Sequence, residues 1–377
     1  IPNSLRMNRL SLMALPLIAL AATGCVQSSG SANPDVTEID LLANLEAPDF
    51  DNTSITDVKY TLLDTATTAL LGNYCDIFGV MNDTVIIHDM TSFGVNSRLL
   101  LFDANDGHLI RPISHVGQGP GEYQWIQGVV TDPEHSELLL LANKALRYST
   151  ADRYIESYDS PNGKAPIGSA KNGIYQTQTS DGNLLICRYD MTMTPTDTIV
   201  VKGFEPKWNS VTSNLSGDEV LINIADTVFS LTPGEMHPVA VLTRGAKALT
   251  PETDQKMLQL ITKSDMKQFS ELYGQYIVFQ QFINDYTRFI VTYTYGGRSY
   301  IDTYSRENGK LLARYSDSDD DNAGIPVPYA DRTIHINRLP FYYNGRFYAI
   351  VSEEETLGND GETSEDLNRA LISWRVE

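Results

Sequence analysis

Short apolar runs recur along most of the chain between residues 58 and 352. Each run is rich in Val, Ile, Leu, Tyr and Phe, and turn residues separate it from the next run. Runs of this length and composition predict β-strands. Clear examples are Thr84–Asp89, Leu99–Asp103, Glu137–Leu141, Arg288–Tyr293 and Phe347–Val351.

The residues between these runs predict tight hairpins. Asp-Gly and Asn-Gly pairs supply the positive φ angles that two-residue turns between antiparallel strands require. Such pairs occur at Asp106-Gly107, Asn162-Gly163, Asp181-Gly182, Asn308-Gly309 and Asn344-Gly345.

A looser repeat overlies this pattern, in which a strand ends in an aromatic residue followed by a small polar one. It occurs at Phe102-Asp103, Tyr148-Ser149, Phe229-Ser230 and Tyr304-Ser305, with spacings of 46, 81 and 75 residues. The two longer spacings become about 40 and 38 if each gap hides one degenerate copy, and the run Leu185–Tyr189 fits the first gap. A period of about 40 to 45 residues is typical of a four-stranded propeller blade.

The chain is therefore predicted to be all-β, with residues 51–377 forming a β-propeller of six or seven blades. The competing architectures are a β-sandwich, a β-helix and an open sheet array. A sandwich of this length would need two domains, and no Pro-rich or Gly-rich linker divides the middle of the chain. These considerations favour the propeller.

One segment, residues 250–273, breaks the strand pattern with helical spacing. Thr250 is placed as an N-cap and Pro251 at the first helical position. The predicted insertion of one or two short helices either covers an edge or an end of the propeller or forms a lid over a ligand site. Apolar residues group at Met257, Leu260 and Ile261, and again at Met266, Phe269 and Tyr273.

The first 25 residues have the order of a lipoprotein signal peptide. Arg6 and Arg9 precede an apolar run, Leu10 to Ala22, which is shorter than the roughly 20 residues of a membrane-spanning helix. Ala22-Thr23-Gly24-Cys25 resembles the lipobox of bacterial lipoproteins, which predicts lipid on Cys25. The alternative is an ordinary cleaved signal in which Cys25 has no role. Small and polar residues follow, so residues 26–50 are predicted to be a flexible tether.

The segment Gly117-Gln118-Gly119-Pro120-Gly121-Glu122-Tyr123 resembles the Gly-x-Gly-Pro-Gly-Glu-Tyr signature of six-bladed β-propeller lipoproteins from Bacteroides-like bacteria, which are relatives in fold of the NHL-repeat propellers. Asp57–Thr65 resembles the opening strand of that family, and Asp366–Trp374 resembles its closing strand. The resemblance implies six blades and a location outside the cytoplasm. It implies no catalytic residues, because the activities of the family are largely undetermined.

The charge composition limits the classes of partner that the protein can bind. Lys and Arg total 28 and Asp and Glu total 48, which gives a net charge of −20. Because nucleic-acid binding depends on cationic side chains, this charge disfavours a nucleic-acid partner. Cys75 and Cys187 both lie in apolar runs, where two buried free thiols are favoured over a disulfide.

No catalytic or metal-binding motif stands out, and no metal ligands or cofactor are predicted. The candidate ligand-binding residues are chosen by position, at a strand end and around the glycine-rich segment. That segment is interpreted first as a sharp structural turn, and second as a loop that turns Glu122 and Tyr123 towards the central channel. The candidates are His88, Asp89, His115, Gln118, Glu122 and Tyr123.

The alternating acids of residues 317–322 could suit calcium, which takes six to eight oxygen ligands. However, Asn322 stands where the EF-hand loop needs glycine, and Pro328 stands where it needs glutamate. A solvated loop is therefore favoured over a calcium site.

The sequence predicts a lipid-anchored binding or scaffold module of the cell envelope that recognises a protein or glycan partner. The outer membrane is the expected membrane, and either of its faces fits. The alternative is a propeller-type hydrolase, lyase or metal-dependent lactonase with its site in the central channel. Three or more Asp, Glu, His or Asn side chains meeting at the axis would favour the enzyme, whereas a plugged channel would favour the binding module.

Overall fold

The computed structural model describes residues 36–45, 47–92, 96–159, 167–204, 211–317, 324–352 and 368–377. Six antiparallel sheets follow one another along these residues and form the six blades of a β-propeller, as predicted. The signal peptide, Cys25 and the calcium candidate from residue 318 onward lie outside the described residues.

The N-terminal segment and blades 1 to 3 come first along the chain. The segment contributes β1 (Thr37–Asp40), β2 (Phe50–Asp51) and β3 (Ile55–Leu62). Blade 1 contains β4 (Tyr74–Met81), β5 (Thr84–Met90), β6 (Arg98–Asp103) and β7 (Leu109–Ile113); blade 2 contains β8 (Gly128–Asp132), β9 (Glu137–Leu141), β10 (Ala145–Ser149) and β11 (Tyr154–Tyr158); blade 3 contains β12 (Ile167–Ser169), β13 (Gly173–Ser180), β14 (Asn183–Tyr189) and β15 (Pro195–Lys202).

Blades 4 to 6 carry the two insertions of the fold. Helices α1 (Pro251–Thr262) and α2 (Met266–Tyr273) lie between blades 4 and 5, and a two-stranded hairpin lies between blades 5 and 6. Blade 4 contains β16 (Val211–Ser216), β17 (Glu219–Ile224), β18 (Thr227–Thr232) and β19 (Glu235–Thr243); blade 5 contains β20 (Val278–Asn284), β21 (Arg288–Tyr295), β22 (Arg298–Ser305) and β23 (Leu311–Ser316); the hairpin is β24 (Ile325–Tyr329) and β25 (Arg332–Ile336); blade 6 contains β26 (Phe341–Tyr343), β27 (Arg346–Val351) and β28 (Ala370–Val376).

The first strand of each blade lies innermost, so β4, β8, β12, β16, β20 and β26 surround a central channel. Neighbouring strands within a blade are antiparallel, and each outer strand leads to the inner strand of the next blade. All six inner strands therefore run in the same direction along the channel. We call the end where they begin the entry face and the other end the closed face.

The ring closes through the N-terminal strand. In blade 6, β3 pairs antiparallel with β28, with Leu62 opposite Ala370 and Tyr60 opposite Ile372. The first and last described strands of the propeller body therefore share one sheet. Every backbone hydrogen bond between β3 and β28 must break before the ring can open between blades 6 and 1.

The core is divided into six hydrophobic clusters, one at each interface between neighbouring blades. Strand β5 shows why its apolar run is continuous. Alternate side chains of a strand point to opposite faces, so Ile86 packs towards blade 2 whereas Val85 and Ile87 pack towards blade 6. Both faces of the middle strands are buried.

The aromatic repeat marks the third strand of five blades. Phe102, Tyr148, Phe229 and Tyr304 lie in β6, β10, β18 and β22, and Tyr189 ends β14 as the first hidden copy required. The second gap hides no copy. Blades 4 and 5 are consecutive, and the 75-residue spacing arises because the helical insertion separates them.

Turns after the third strand join one blade to the previous one. Gly107 adopts a φ of 78°, and a Cβ at this position would come within 2.0 Å of the Leu62 carbonyl oxygen at the end of β3. Gly309 has the same relation to the Glu38 carbonyl oxygen in β1. The glycine of these predicted turns therefore permits close contact between neighbouring blades.

The helical insertion begins as predicted. Thr250 is the N-cap of α1, its Oγ1 accepts a hydrogen bond from the Thr253 amide at 3.2 Å, and Pro251 is the first helical residue. Met257 and Leu260 are buried, whereas Met266 of the second group is 55% exposed. The insertion joins the outer strand β19 to the inner strand β20, so it lies at the entry face of the propeller.

The predicted flexible tether requires a correction at its C-terminal end. Strand β1 pairs in parallel with β19, and β2 pairs antiparallel with β23, so the chain from residue 37 adds strands to the outer edges of blades 4 and 5. Leu41 is fully buried in the hydrophobic cluster between blades 4 and 5. The folded body therefore starts before residue 51, because main-chain pairing and apolar burial hold this segment in place.

A buried ion pair also holds the N-terminal segment. Arg314 and Asp302 are both fully buried, and two hydrogen bonds of 2.8 and 2.6 Å join the guanidinium to the carboxylate. Arg314 Nη1 donates to the carbonyl oxygens of Asn44 and Ala47. The hydroxyls of Tyr293 and Tyr304 both donate to Asp302 Oδ2.

We expect Arg314→Met to destabilise the protein by about 3–5 kcal/mol, because it leaves the Asp302 carboxylate buried and unpaired. Urea unfolding measures this change, and limited proteolysis should show earlier cleavage between residues 36 and 51. Arg298→Met, at an exposed position of β22, is the matched control. Equal stability of the two variants would contradict the role given to Arg314.

Candidate functional site

A pocket of about 380 Å³ occupies the central channel. Residues from all six blades line it, because each inner strand contributes at least one side chain. Its size falls within the range of small-molecule sites, roughly 300–1,000 Å³. The polar members of the lining are Asp76, Gln127, Ser213, Asn214 and Gln281.

Four of these polar side chains point into open space. Asp76, Gln127, Ser213 and Gln281 are all solvent-exposed although they line the channel. Within the described part of the chain, the side chains of Gln127, Ser213 and Gln281 make no hydrogen bond to protein. Their donors and acceptors are therefore available to a ligand.

Hydrogen bonds between β16 of blade 4 and β20 of blade 5 fix the positions of their pocket residues along the channel axis. Asn214 Nδ2 donates to the Phe282 carbonyl oxygen at 2.9 Å, and Ser216 Oγ donates to the Asn284 carbonyl oxygen at 2.7 Å. This register places Ser213 and Gln281 at the same height in the channel.

Apolar side chains follow the polar ones towards the closed face. Leu215 and Ile283 come two residues after Ser213 and Gln281, so each pair shares one side of its strand. Leu215 and Ile283 also line the pocket, as do Phe78 and Phe341. The exposed polar side chains therefore lie near the entrance, where apolar residues such as Ile167 and Leu339 also line the pocket, and Leu215 and Ile283 lie below them.

The turn between β16 and β17 closes the far end of the channel. The Gly217 amide donates to the Tyr342 carbonyl oxygen at 3.1 Å, which joins blade 4 to blade 6 across the axis. On the other side, Ser169 Oγ of blade 3 donates to the Asp218 carbonyl oxygen at 2.9 Å. Among the described residues, this turn therefore lies across the closed-face end of the channel, and the pocket opens towards the entry face.

Asp76 is the carboxylate that lines this pocket within the described chain. The channel wall displaces part of the water around the exposed Asp76 side chain, which disfavours the charged form and raises the pKa of Asp76. A hydrogen bond of 2.9 Å from the Ile77 amide and the positive charge of Arg338 oppose that rise.

The described lining carries a single carboxylate and no histidine. A general acid and base pair, or a metal with several protein ligands, needs more such groups converging on one point. The available amide, hydroxyl and carboxyl groups instead suit hydrogen bonding to a bound molecule.

His88 lies behind the pocket wall and does not line the pocket. It is 3% exposed, its ring packs on Phe78 at a centroid distance of 4.4 Å, and its Nε2 forms a 2.7 Å hydrogen bond with Ser97 Oγ. Ser97 Oγ also accepts from the Ile126 amide at 3.1 Å, next to Gln127. Burial lowers the pKa of His88 to about 4, so the ring is neutral at pH 7.

Asp89 has a structural role. Its carboxylate accepts hydrogen bonds from the Gly72 amide at 2.7 Å and from Arg98 Nε at 2.8 Å. Arg98 in turn donates to the Leu70 carbonyl oxygen at 2.7 Å. This network ties the segment before β4 to blade 1.

The glycine-rich segment forms a compact loop between blades 1 and 2. Tyr123 is fully buried in the cluster between these blades, and its hydroxyl donates to the Ile113 carbonyl oxygen at 3.1 Å. Glu122 Oε2 accepts from the Gly119 amide at 2.7 Å, within the loop itself. A Cβ at Gly121 would lie 2.9 Å from the Tyr154 ring, so this glycine is needed for contact with blade 2.

The two remaining candidates belong to the same loop. His115 Nε2 lies 2.7 Å from Asp152 Oδ1, and the His115 ring stacks on Tyr148 at 5.4 Å. Gln118 is exposed at the loop surface. The structure therefore places five of the candidates around the interface of blades 1 and 2, and Asp89 on the side of blade 1 that faces blade 6. None of the six lines the central pocket.

The pocket residues were not identified from the sequence. Gln127 lies four residues after Tyr123, and Asp76 directly follows Cys75, but neither belongs to a recognisable motif. The available signal was a polar residue at the start of an inner strand, and that signal is visible only when the inner strands are known.

The other chemical groups have local explanations. Asp103, Asp106 and His108 cluster in an exposed hairpin turn, where Asp103 Oδ1 accepts the Asn105 amide at 2.7 Å and Asp106 Oδ1 accepts the His108 amide at 3.1 Å. Cys75 and Cys187 are buried free thiols in separate clusters, as expected, and burial raises the pKa of Cys75 to about 11.

Comparison with known protein families identifies the family of this chain. A family model described as a domain of unknown function, DUF4934, matches residues 36–373. The chain belongs to the DUF4934 family. No curated protein matches it.

Solved structures share the fold of this DUF4934 protein. A Bacteroides fragilis protein described as exported has a TM-score of 0.63 at 15% identity, over 91% of this chain and 99% of that chain. A member of the DUF4221 family from Bacteroides vulgatus has a TM-score of 0.51 at 10% identity, over 87% of this chain and 99% of that chain. Within the described residues, no helix has the length and apolar character needed to cross a membrane.

The stability of the DUF4934 protein should depend on pH through His88. The unfolded state binds a proton near pH 6.5, whereas the folded state does not until about pH 4. Stability should therefore fall by about 3 kcal/mol as the pH drops from 6.5 to 4. Urea unfolding across this range measures the slope, and His88→Asn should make it shallower.

The matched control is His237→Asn, which removes an exposed imidazole from β19. The control should keep the wild-type slope. An unchanged slope in His88→Asn would show that His88 does not titrate in this way.

Proposed function

We propose that this DUF4934 protein is a lipid-anchored binding protein of the cell envelope, and that its ligand occupies the axial pocket. The observation that carries the proposal is the pocket itself: among the described residues, the β16–β17 turn lies across one end, and the side chains of Gln127, Ser213 and Gln281 have hydrogen-bonding groups that are open to a ligand. Rigid strands from six blades hold those groups, so the site is formed before the ligand arrives.

The closed end supports binding over passage through the channel. The contacts of the β16–β17 turn with blades 3, 5 and 6 hold it across the axis. A ligand that enters from the entry face therefore stops at this turn and must leave by the same opening.

The chemistry of the lining supports binding over catalysis. Asp76 is accompanied by amides and a hydroxyl among the described lining residues, and neither a second carboxylate nor an imidazole faces it. A lactonase-like metal site would draw on several acidic, amide and histidine ligands at the axis. The binding module is therefore preferred to the hydrolase, lyase or lactonase alternative.

The N-terminal sequence supports the proposed envelope location and lipid anchor. The lipobox-like Ala22-Thr23-Gly24-Cys25 stands 12 residues before Thr37, the first residue of the first described strand. The remaining tether would be residues 26–36, which is about 40 Å when fully extended. This length would keep the propeller close to the membrane surface.

Ser213→Trp tests the pocket, since an indole at this position would fill the channel. In a thermal-shift screen of sugars, peptides, nucleotides and lipids, at least one compound class should stabilise the wild type and should not stabilise Ser213→Trp. Ser180→Trp, at an exposed position of β13, is the control and should respond like the wild type. Equal stabilisation of all three proteins, or of none, would refute a ligand site in the channel.

Cys25→Ser tests the anchor in the full-length precursor expressed in a bacterium that processes lipoproteins. The wild type should incorporate labelled fatty acid and sediment with membranes, because the acyl chains supply about 0.8 kcal/mol per buried methylene. The variant should lose the label and shift to the soluble fraction. Cys75→Ser is the control, because that thiol is buried in the folded body.

A further inference from the structure

We propose that the axial pocket binds an uncharged, hydroxyl-rich ring, that is, one sugar unit of a neutral glycan. This inference rests on the proposed function, because it names the class of ligand for the same site. Three observations carry it: the amide side chains of Gln127 and Gln281 in the pocket, the aromatic side chains beside the entrance, and the balance of charge.

The amides come first. Gln127 and Gln281 reach the pocket from blades 2 and 5, and the Ser213 hydroxyl lies beside Gln281. An amide offers two donors and an acceptor with two lone pairs, and a hydroxyl can both donate and accept. Adjacent hydroxyls of a sugar ring also donate and accept, so each can exchange hydrogen bonds with these groups without a change of charge.

Aromatic side chains lie beside the entrance on two neighbouring blades. Tyr74 and Trp125 each precede a polar pocket residue, Asp76 and Gln127, by two positions, and alternate residues of an extended segment share a side. Tyr74 is 52% exposed and Trp125 is 37% exposed, whereas Ile126 between Trp125 and Gln127 is fully buried. Both rings are partly exposed next to hydrogen-bonding groups, and Tyr and Trp combine an apolar ring with a polar group.

The charge balance disfavours anionic ligands and offers a cationic ligand one carboxylate in the described lining. An anionic ligand would meet Asp76 and a chain of net charge −20. A cationic ligand would find one carboxylate in the described lining, with the Arg338 charge acting on it. An uncharged ligand meets no like charge there, and the Asp76 carboxylate can accept a hydrogen bond from one of its hydroxyl groups.

The dimensions fit a small ring better than a protein loop. The pocket volume of about 380 Å³ is near the lower end of the small-molecule range. The closed turn at Gly217 also prevents a chain from threading through. A glycan would therefore place one terminal unit in the pocket, and the units before it would pass the aromatic rings at the entrance.

The experiment uses the folded body and a panel of defined probes. The probes are neutral monosaccharides and oligosaccharides, uronic acids, amino sugars with a free amine, and short peptides. A neutral sugar at ten times its Kd should raise Tm by about 2–4 °C. Because Trp125 lies beside the entrance, the same sugar should also change tryptophan fluorescence, and Trp125→Phe should abolish that change.

Gln127→Ala and Gln281→Ala should each weaken binding of that sugar by about tenfold, as expected for one lost hydrogen-bonding group. Gln178→Ala is the matched control, since Gln178 is exposed on β13 and does not line the pocket. Far-ultraviolet circular dichroism of each variant checks that the propeller remains folded.

The outcomes separate this inference from the proposed function. Binding of a neutral sugar that both glutamine variants weaken supports the inference. Binding of a uronic acid, an amino sugar or a peptide that Ser213→Trp abolishes would overturn the sugar assignment and leave the binding pocket in place. If no probe binds and the wider screen also finds no ligand sensitive to Ser213→Trp, both proposals fail.

Discussion

Closure of the ring between β28 and β3 is the constraint on which the remaining structure depends. Each blade buries apolar side chains on both faces, so a blade without a neighbour would expose a full hydrophobic cluster to water. Pairing of Tyr60 with Ile372 and of Leu62 with Ala370 joins β3, the strand before blade 1, to β28, the last described strand, in one sheet. Blade 6 can then pack on blades 5 and 1 at once, and all six clusters are covered.

The closed ring also sets the width of the channel and therefore creates the pocket. Packing in the clusters between blades sets the distance between neighbouring inner strands. Blades 4 and 6 flank blade 5, and across this gap the β16–β17 turn forms a hydrogen bond with Tyr342. The pocket is thus a consequence of packing elsewhere. Asp76, Gln127, Ser213 and Gln281 come from distant parts of the chain and meet because their strands occupy equivalent places in four blades.

The described N-terminal segment strengthens the same ring from outside. It adds β1 to blade 4 and β2 to blade 5 before it supplies β3 to blade 6, so one continuous stretch spans three blades. The fully buried Arg314 holds the crossing between β1 and β2 through two main-chain carbonyl groups. Buried ion pairs of this kind cost free energy to desolvate, and the four hydrogen bonds to Asp302 compensate that cost.

The sequence by itself determined the local features. Apolar runs predicted the strands, Thr250 and Pro251 predicted the start of α1, and the aromatic repeat identified third strands because each copy packs in an equivalent place. Tertiary structure alone decided which polar residues share the channel. The glycine-rich loop drew attention to Glu122 and Tyr123, yet Tyr123 packs between blades 1 and 2 and Glu122 accepts a hydrogen bond within the loop. Gln127 and Gln281, by contrast, lie in no motif. A side chain reaches the axis because of the height and direction of its inner strand, and both are set by contacts between blades that are far apart in sequence.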